Sequence, residues 1–174
     1  MDRFDGPYLL MLLILSAPQD FPVLLPARGD APMNLVPIDY VVQAAHRIGM
    51  SPQAIGKTFH LADPKPLTVR QVFELVAQSG GRRLPGGFIP SRLTKALLST
   101  PGLHLVSKSP RAFVDTITTP VRYDTRNTDD VLSDSRVQCP PFESYVDALV
   151  AFVKQRVQER RLKHEDSDVD DPLS

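Results

Sequence analysis

Thr58-Phe59-His60-Leu61, followed by Leu67-Thr68-Val69-Arg70-Gln71-Val72-Phe73-Glu74-Leu75-Val76, is the stretch that decides the fold class. The first run is compact and rich in strand-forming side chains, so it reads as a strand. The second opens on a capping box. The Thr68 hydroxyl accepts from the Gln71 N–H, and the Gln71 side chain reaches back to the N–H of Thr68. Val69, Val72, Phe73 and Val76 recur on one helical face, and Gly80-Gly81 terminates the helix. Upstream, Asp39 suits a helix start, where a carboxylate meets unpaired N–H groups. Val41, Val42, Ala45 and Ile48 give that helix its apolar stripe, and Gly49 ends it. Helix, strand, helix over residues 39–80 is the rhythm of an α/β layer.

Toward the N-terminus, Asn34-Leu35-Val36-Pro37 reads as extended chain. Residues 17–32 form a proline-rich loop in which Phe21 to Leu25 is either a short edge strand or plain extended chain. Pro7 fits the first turn of a helix. Tyr8 to Leu15 then reads as a helix apolar on nearly all sides, which needs cover on several faces. Ser51-Pro52 begins a short turn that Gly56 closes. Toward the C-terminus, Arg82 to Pro90 reads as a loop, and Ser91 caps a helix through Leu98 with Leu93, Ala96 and Leu97 inward. Phe113 to Tyr123 reads as an extended segment that Pro120 confines to a sheet edge. Asn127 or Thr128 caps a short helix through Leu132. Phe142, Tyr145, Val146, Leu149, Val150, Val153 and Val157 fall at helical spacing and predict a long amphipathic helix. Residues 156–174 carry dense charge without apolar periodicity and are expected to be a disordered tail, leaving residues 1–155 as the folded unit.

Lys+Arg and Asp+Glu are equal at 20 each, which argues against a nucleic-acid or anionic-membrane surface spanning the whole chain. The 174 residues suffice for one domain, and 17 prolines place much of it in loops, turns and helix starts. A single cysteine, Cys139, excludes an internal disulfide and a Cys-x-x-Cys metal pair, so a reducing, cytoplasmic setting is the default. The apolar run Tyr8 to Leu15 falls short of the about 20 residues that span a bilayer. Its flank Asp2-Arg3-Phe4-Asp5 lacks the basic character of a signal peptide. A buried helix is the expectation, with no membrane span.

Catalytic constellations are scarce. There is no glycine-rich strand-to-helix fingerprint, P-loop, nucleophile elbow or His-Glu-x-x-His. Tyr8, Tyr40, Tyr123 and Tyr145 each lack a lysine four residues on. Gly80-Gly81 and Gly86-Gly87 read as helix cap and turn rather than as a phosphate cradle. His46, His60, His104 and His164 show no metal-ligand spacing, and His60 reads as a structural histidine. Cys139, beside Pro140 and Pro141 with no base nearby in sequence, reads as a structural thiol rather than a nucleophile. Asp39 is accounted for by its helix start. No catalytic, cofactor-binding or metal-ligating residue is therefore assigned.

Met33-Asn34-Leu35-Val36-Pro37-Ile38-Asp39-Tyr40-Val41-Val42 is similar to an N-x-V-P-V-D-Y-V segment of the extended short-chain dehydrogenase/reductase family (NAD-dependent epimerase/dehydratase-like). The resemblance is greatest to its thioester-reductase and male-sterility, or fatty acyl-CoA reductase, branch. Lys57 to Pro64 with Leu67 to Val72 resembles the next strand and helix of those enzymes. Tyr123 to Thr128, then Cys139-Pro140-Pro141 and Tyr145, resembles their closing segment, and Asp5-Gly6-Pro7-Tyr8 the lead-in to their substrate-side helices. The resemblance covers residues 4–155. It implies the C-terminal part of a Rossmann-type α/β reductase, with a mostly helical substrate-side region and an incomplete sheet. It further implies NAD(P) as cofactor of the intact enzyme and an acyl or carbonyl substrate. Pocket-lining candidates, by resemblance, are the Tyr8 to Leu15 helix and the Arg82 to Leu98 region. The family's glycine fingerprint, catalytic Tyr and Lys, and helper Ser or Thr have no counterpart here. Met1 then reads as an internal methionine, and the missing half as a possible separate partner chain. The rival expectation is a non-enzymatic interaction module that binds a partner through exposed apolar helix faces.

Overall fold

The helix opened by Thr68 organises the larger of two cores. In the computed structural model, which describes residues 7–16, 24–26, 29–83, 86–89 and 119–169, it runs Val69–Gly80 and lies among a helix at Pro7–Ser16 and another at Val146–Val169. In chain order the described elements are α1 (Pro7–Ser16), β1 (Leu24–Pro26), α2 (Ile38–Gly49), a 3-10 turn (Pro52–Ala54), α3 (Val69–Gly80), β2 (Gly87–Ile89), α4 (Arg126–Leu132), a 3-10 turn (Phe142–Ser144) and α5 (Val146–Val169).

The start of α3 accounts for every early N–H. Thr68 N donates to Gln71 Oε1 at 2.8 Å, and Gln71 N donates to Thr68 Oγ1 at 3.3 Å. Val69 N donates to the carbonyl of Ala31 and Arg70 N to that of Gly29, at 2.9 and 3.0 Å. These are the groups a helix N-terminus normally leaves unpaired, and here the segment at 29–31 consumes the two that the capping box does not. Gly29 has φ 74°, a left-handed conformation that favours glycine. Val69, Val72, Phe73, Val76 and Ala77 point into the core, and Gly81 at φ 67° closes the helix.

Met11, Ile14 and Leu15 of α1 and Val146, Val150 and Val153 of α5 complete this core, with Phe142 beneath them. A Cβ on Gly80 would lie 2.4 Å from Leu15 Cδ2, so α1 and α3 touch where α3 has no side chain. Arg82 Nη2 donates to the Leu15 carbonyl at 2.5 Å. It brings a cation to the end of α1, whose last turn carries no basic residue of its own. Ser79 Oγ donates to Asp147 Oδ1 at 2.5 Å and ties α3 to α5.

The second, smaller core joins Tyr40, Ala44 and Ile48 of α2 to Val131 and Leu132 of α4. The inward stripe of α2 is therefore rotated from the expected Val41, Val42, Ala45 and Ile48. Val42 is 59 % exposed and Ala45 is exposed, because the facing α4 side chains select the Tyr40–Ala44–Ile48 row. Asp39 sits in the first turn as expected, behind Pro37 at the cap position. Gly49 is the last helical residue, and Met50 follows in right-handed geometry.

Further expectations are corrected. Thr58 to Leu61 is extended but belongs to no strand. Phe59 and Leu61 turn toward the smaller core while Thr58 and His60 face out, the alternation of a strand. Its carbonyls are held by side chains instead of a neighbouring strand: Asn127 Nδ2 donates to Thr58 O at 2.9 Å, and Thr128 Oγ1 donates to His60 O at 2.9 Å. Asn127 and Thr128 are helical residues of α4 rather than its cap, and Thr125 holds the cap position. The region read as a loop at 82–90 contains β2, which pairs in parallel with β1 through Leu24↔Gly87, Leu25↔Phe88 and Pro26↔Ile89. Phe142 and Tyr145 precede α5 in a separate 3-10 turn and its cap rather than extending the long helix. The α5 helix is described as far as Val169, with Arg156 on Glu159 at 3.1 Å along it. The expected helix at 91–98 lies outside the described residues, as does most of the extended segment at 113–123.

Among the described residues no helix is long and apolar enough to cross a membrane.

Candidate functional site: an apolar cleft and a polar cleft

Met33 to Pro37 is extended, as expected ahead of a proline. Met33 N donates to the Leu67 carbonyl at 2.8 Å, which anchors the segment beside the start of α3. At its other end the Tyr145 hydroxyl donates to the Leu35 carbonyl at 3.1 Å. The Tyr145 ring meets Phe142 edge-on, with centroids 5.2 Å apart and planes at 79°. Between this strap, α1 and the start of α5 lies a cleft of about 440 Å³, walled by Tyr8, Met11, Leu35, Ile38, Tyr145 and Leu149. Its surface is chiefly apolar. Burial, with Cys139, Asp63 and Glu143 adding to it, pushes the Tyr145 phenol up to about 12. Tyr145 is thus a neutral hydrogen-bond donor and a poor proton acceptor. The cleft can hold an apolar group and offers little to orient a charge. Beside it Asn34 Nδ2 donates to the Val121 carbonyl at 3.4 Å, while its buried Oδ1 has no partner among the described residues.

The second cleft, about 410 Å³, lies between the 58–60 segment and α4, lined by Thr58, His60, Asp124, Arg126, Asn127 and Asp130. Asp124 and Arg126 form a close ion pair through two guanidinium nitrogens. The side-chain hydrogen bonds from Arg126, then its backbone N–H, hold the Asp124 carboxyl at about 2. His60 Nδ1 lies 3.0 Å from the Asp124 carbonyl.

The residues singled out in the sequence are dispersed. His46 is on the exposed side of α2, His104 lies outside the described residues, and the side chain of His164 is not described. Cys139 is half-buried in the smaller core, and burial followed by Asp63 pushes its thiol up to about 11. A thiol raised in this way has a smaller thiolate fraction and is less reactive at neutral pH. The start of α3 cannot cradle a phosphate, because its N–H groups are already bonded. Among the described residues no group of three or more His, Cys, Asp or Glu could hold a metal ion. Tyr8 and Met11 line the apolar cleft. Of the Arg82 to Leu98 region, the described residues line neither cleft, and 90–98 lie outside the described residues. The Asp124–Arg126 pair and the Asn127 and Thr128 latches were not singled out for chemistry in the sequence. Their only signal is the cluster of polar residues at 124–130.

No protein-family model, curated protein or solved structure matches the chain.

Proposed function

We propose that this chain is the substrate-side, C-terminal segment of an NAD(P)-dependent reductase acting on a carbonyl or acyl thioester. One observation carries the reading. Stretches far apart in sequence, each resembling that family, converge on a single apolar cleft: Tyr8 from the N-terminal stretch, Leu35 to Ile38 from the second, and Tyr145 from the closing one. The cleft suits the apolar part of a substrate. The dinucleotide fingerprint and the Tyr/Lys pair have no counterpart among these residues. On this reading NAD(P) and the catalytic groups come from additional polypeptide, and the segment alone is inactive. A cytoplasmic setting fits a chain with one unpaired thiol.

The test titrates the chain with a short apolar acyl thioester and, separately, with NADPH, following the Tyr8 and Tyr145 ring resonances and the nucleotide fluorescence. The thioester should move both rings, and Met11→Trp, which fills the cleft, should abolish that response. NADPH should not saturate at micromolar concentration. Unmoved tyrosine resonances sink the substrate-side reading, and tight NADPH binding sinks the division of labour.

The rival reading, an interaction module, draws on the outward face of α2, where Ile38 is 70 % and Val42 59 % exposed. Self-association abolished by Val42→Lys, with no response to the thioester, would favour it.

A further inference from the structure

We propose that the polar cleft between the 58–60 segment and α4 is a binding site for a neutral, polyhydroxylated ligand of the saccharide class, with His60 Nε2 as its central acceptor. The inference is independent of the reductase reading.

The first argument is the tautomer of His60. A backbone carbonyl can only accept, so the Asp124 carbonyl 3.0 Å from Nδ1 requires a proton on Nδ1. In the neutral ring Nε2 is then the bare acceptor, on a side chain that lines the cleft.

The second argument is an inventory of the other groups. Asn127 spends one Nδ2 N–H on the Thr58 carbonyl, which leaves its second N–H to donate and Oδ1 to accept. Asp130 contributes a carboxylate that only accepts. Arg126 commits Nε and Nη2 to Asp124, so those two charges offset one another, and its remaining N–H groups still donate. The cleft therefore presents acceptors at His60, Asn127 and Asp130 beside donors at Arg126 and Asn127, with a residual negative charge from Asp130. Phosphates and carboxylates are disfavoured by that charge. A neutral ligand whose hydroxyls both donate and accept is complementary to this mixed lining.

The third argument is shape. Tyr123 meets the His60 ring with centroids 5.5 Å apart and planes at 44°, and Tyr123 remains 49 % exposed. Its ring lies outside the cleft lining but, against His60 at the cleft edge, offers an apolar surface for the C–H face of a pyranose. The volume of about 410 Å³ is enough for a mono- or disaccharide.

The experiment uses the full chain and a panel of neutral monosaccharides, with inorganic phosphate as a separate arm. Two-dimensional ¹⁵N spectra follow the His60 imidazole and the Asn127 side-chain amide. The free protein should show His60 as the Nδ1–H tautomer. At least one sugar should bind saturably in the millimolar range, moving the His60 Nε2 resonance. His60→Phe keeps an aromatic ring and removes the acceptor, so affinity should fall by about tenfold. Asp130→Asn should weaken the sugar less and relieve the exclusion of phosphate. Retained dispersion of the backbone spectrum verifies that both variants are folded. An Nε2–H tautomer, no saturable binding by any sugar, undiminished binding in a folded His60→Phe, or preferential binding of phosphate by the wild-type chain would each overturn the proposal.

Discussion

At the scale of single residues, burial decides reactivity. Cys139 is the only thiol in the chain, and burial next to Asp63 pushes it from 9.0 up to about 11. Because the folded value lies above the unfolded one, the unfolded chain releases the proton first. Any contribution to stability is fully present below about pH 9 and is lost as pH rises toward 11. A thiol reagent at about pH 8 should therefore label the native chain at least about tenfold more slowly than the urea-unfolded chain. Equal rates would show that the side chain is open to solvent. This much was partly legible in the sequence, since Cys139 has no neighbouring base. The burial that makes it inert arises from α2 and α4, which sequence alone does not bring together. His60 shows the same limit: its meaning rests on a contact across 64 positions, with the carbonyl of Asp124.

At the scale of elements, legibility follows how local the determinants are. The α3 helix was readable because its cap, apolar row and terminating glycine all lie within its own sequence. Thr68→Ala should cost about 1 kcal/mol and Thr68→Ser much less, since the hydroxyl is kept. Equal shifts of the unfolding midpoint would refute the cap. Gly29 belongs to the same junction. A Cβ there would lie 3.1 Å from Arg70 Cβ and 3.2 Å from Arg70 N, and φ is already 74°. Gly29→Ala should then cost about 1–2 kcal/mol from backbone strain alone, measured by chemical denaturation; a neutral result would break the clasp between 29–31 and α3. The face of α2 was misread because valine outweighs tyrosine and alanine on any local hydrophobic pattern. Its partner α4 selects the row instead. Val42→Ser should stay within about 0.5 kcal/mol of the parent, whereas Ala44→Leu should cost about 1–3 kcal/mol through overpacking. The reverse order would restore the sequence-based face. The β1–β2 pair was half-visible, for Gly87-Phe88-Ile89 is too brief to announce a strand before its partner is known.

At the scale of the whole molecule, the described residues form two cores of unequal size. The larger is built from α1, α3 and α5 and is reinforced by the closed N-terminus of α3 and the Ser79–Asp147 bond. The smaller joins α2 and α4, and α2 begins without a side-chain cap. Local opening should follow that inequality. Native-state hydrogen exchange is expected to release the amides of α2 and α4 before those of α3 and the Val146 to Val157 part of α5. Protection in α2 that outlasts α3 would contradict the two-core description. Tyr145 and Leu35 both pack on the larger core, so losing their bond in Tyr145→Phe should bring the two exchange classes closer together.

The latch between α4 and the 58–60 segment also distributes mutational freedom unequally. Asn127 and Thr128 grip carbonyl oxygens, which every amino acid supplies, so Thr58 can be exchanged for almost any residue without losing its bond. The gripping side chains have no such latitude. Among homologues, drift should accumulate at position 58 while 127 and 128 hold their identities, so the code for this contact resides on one partner alone.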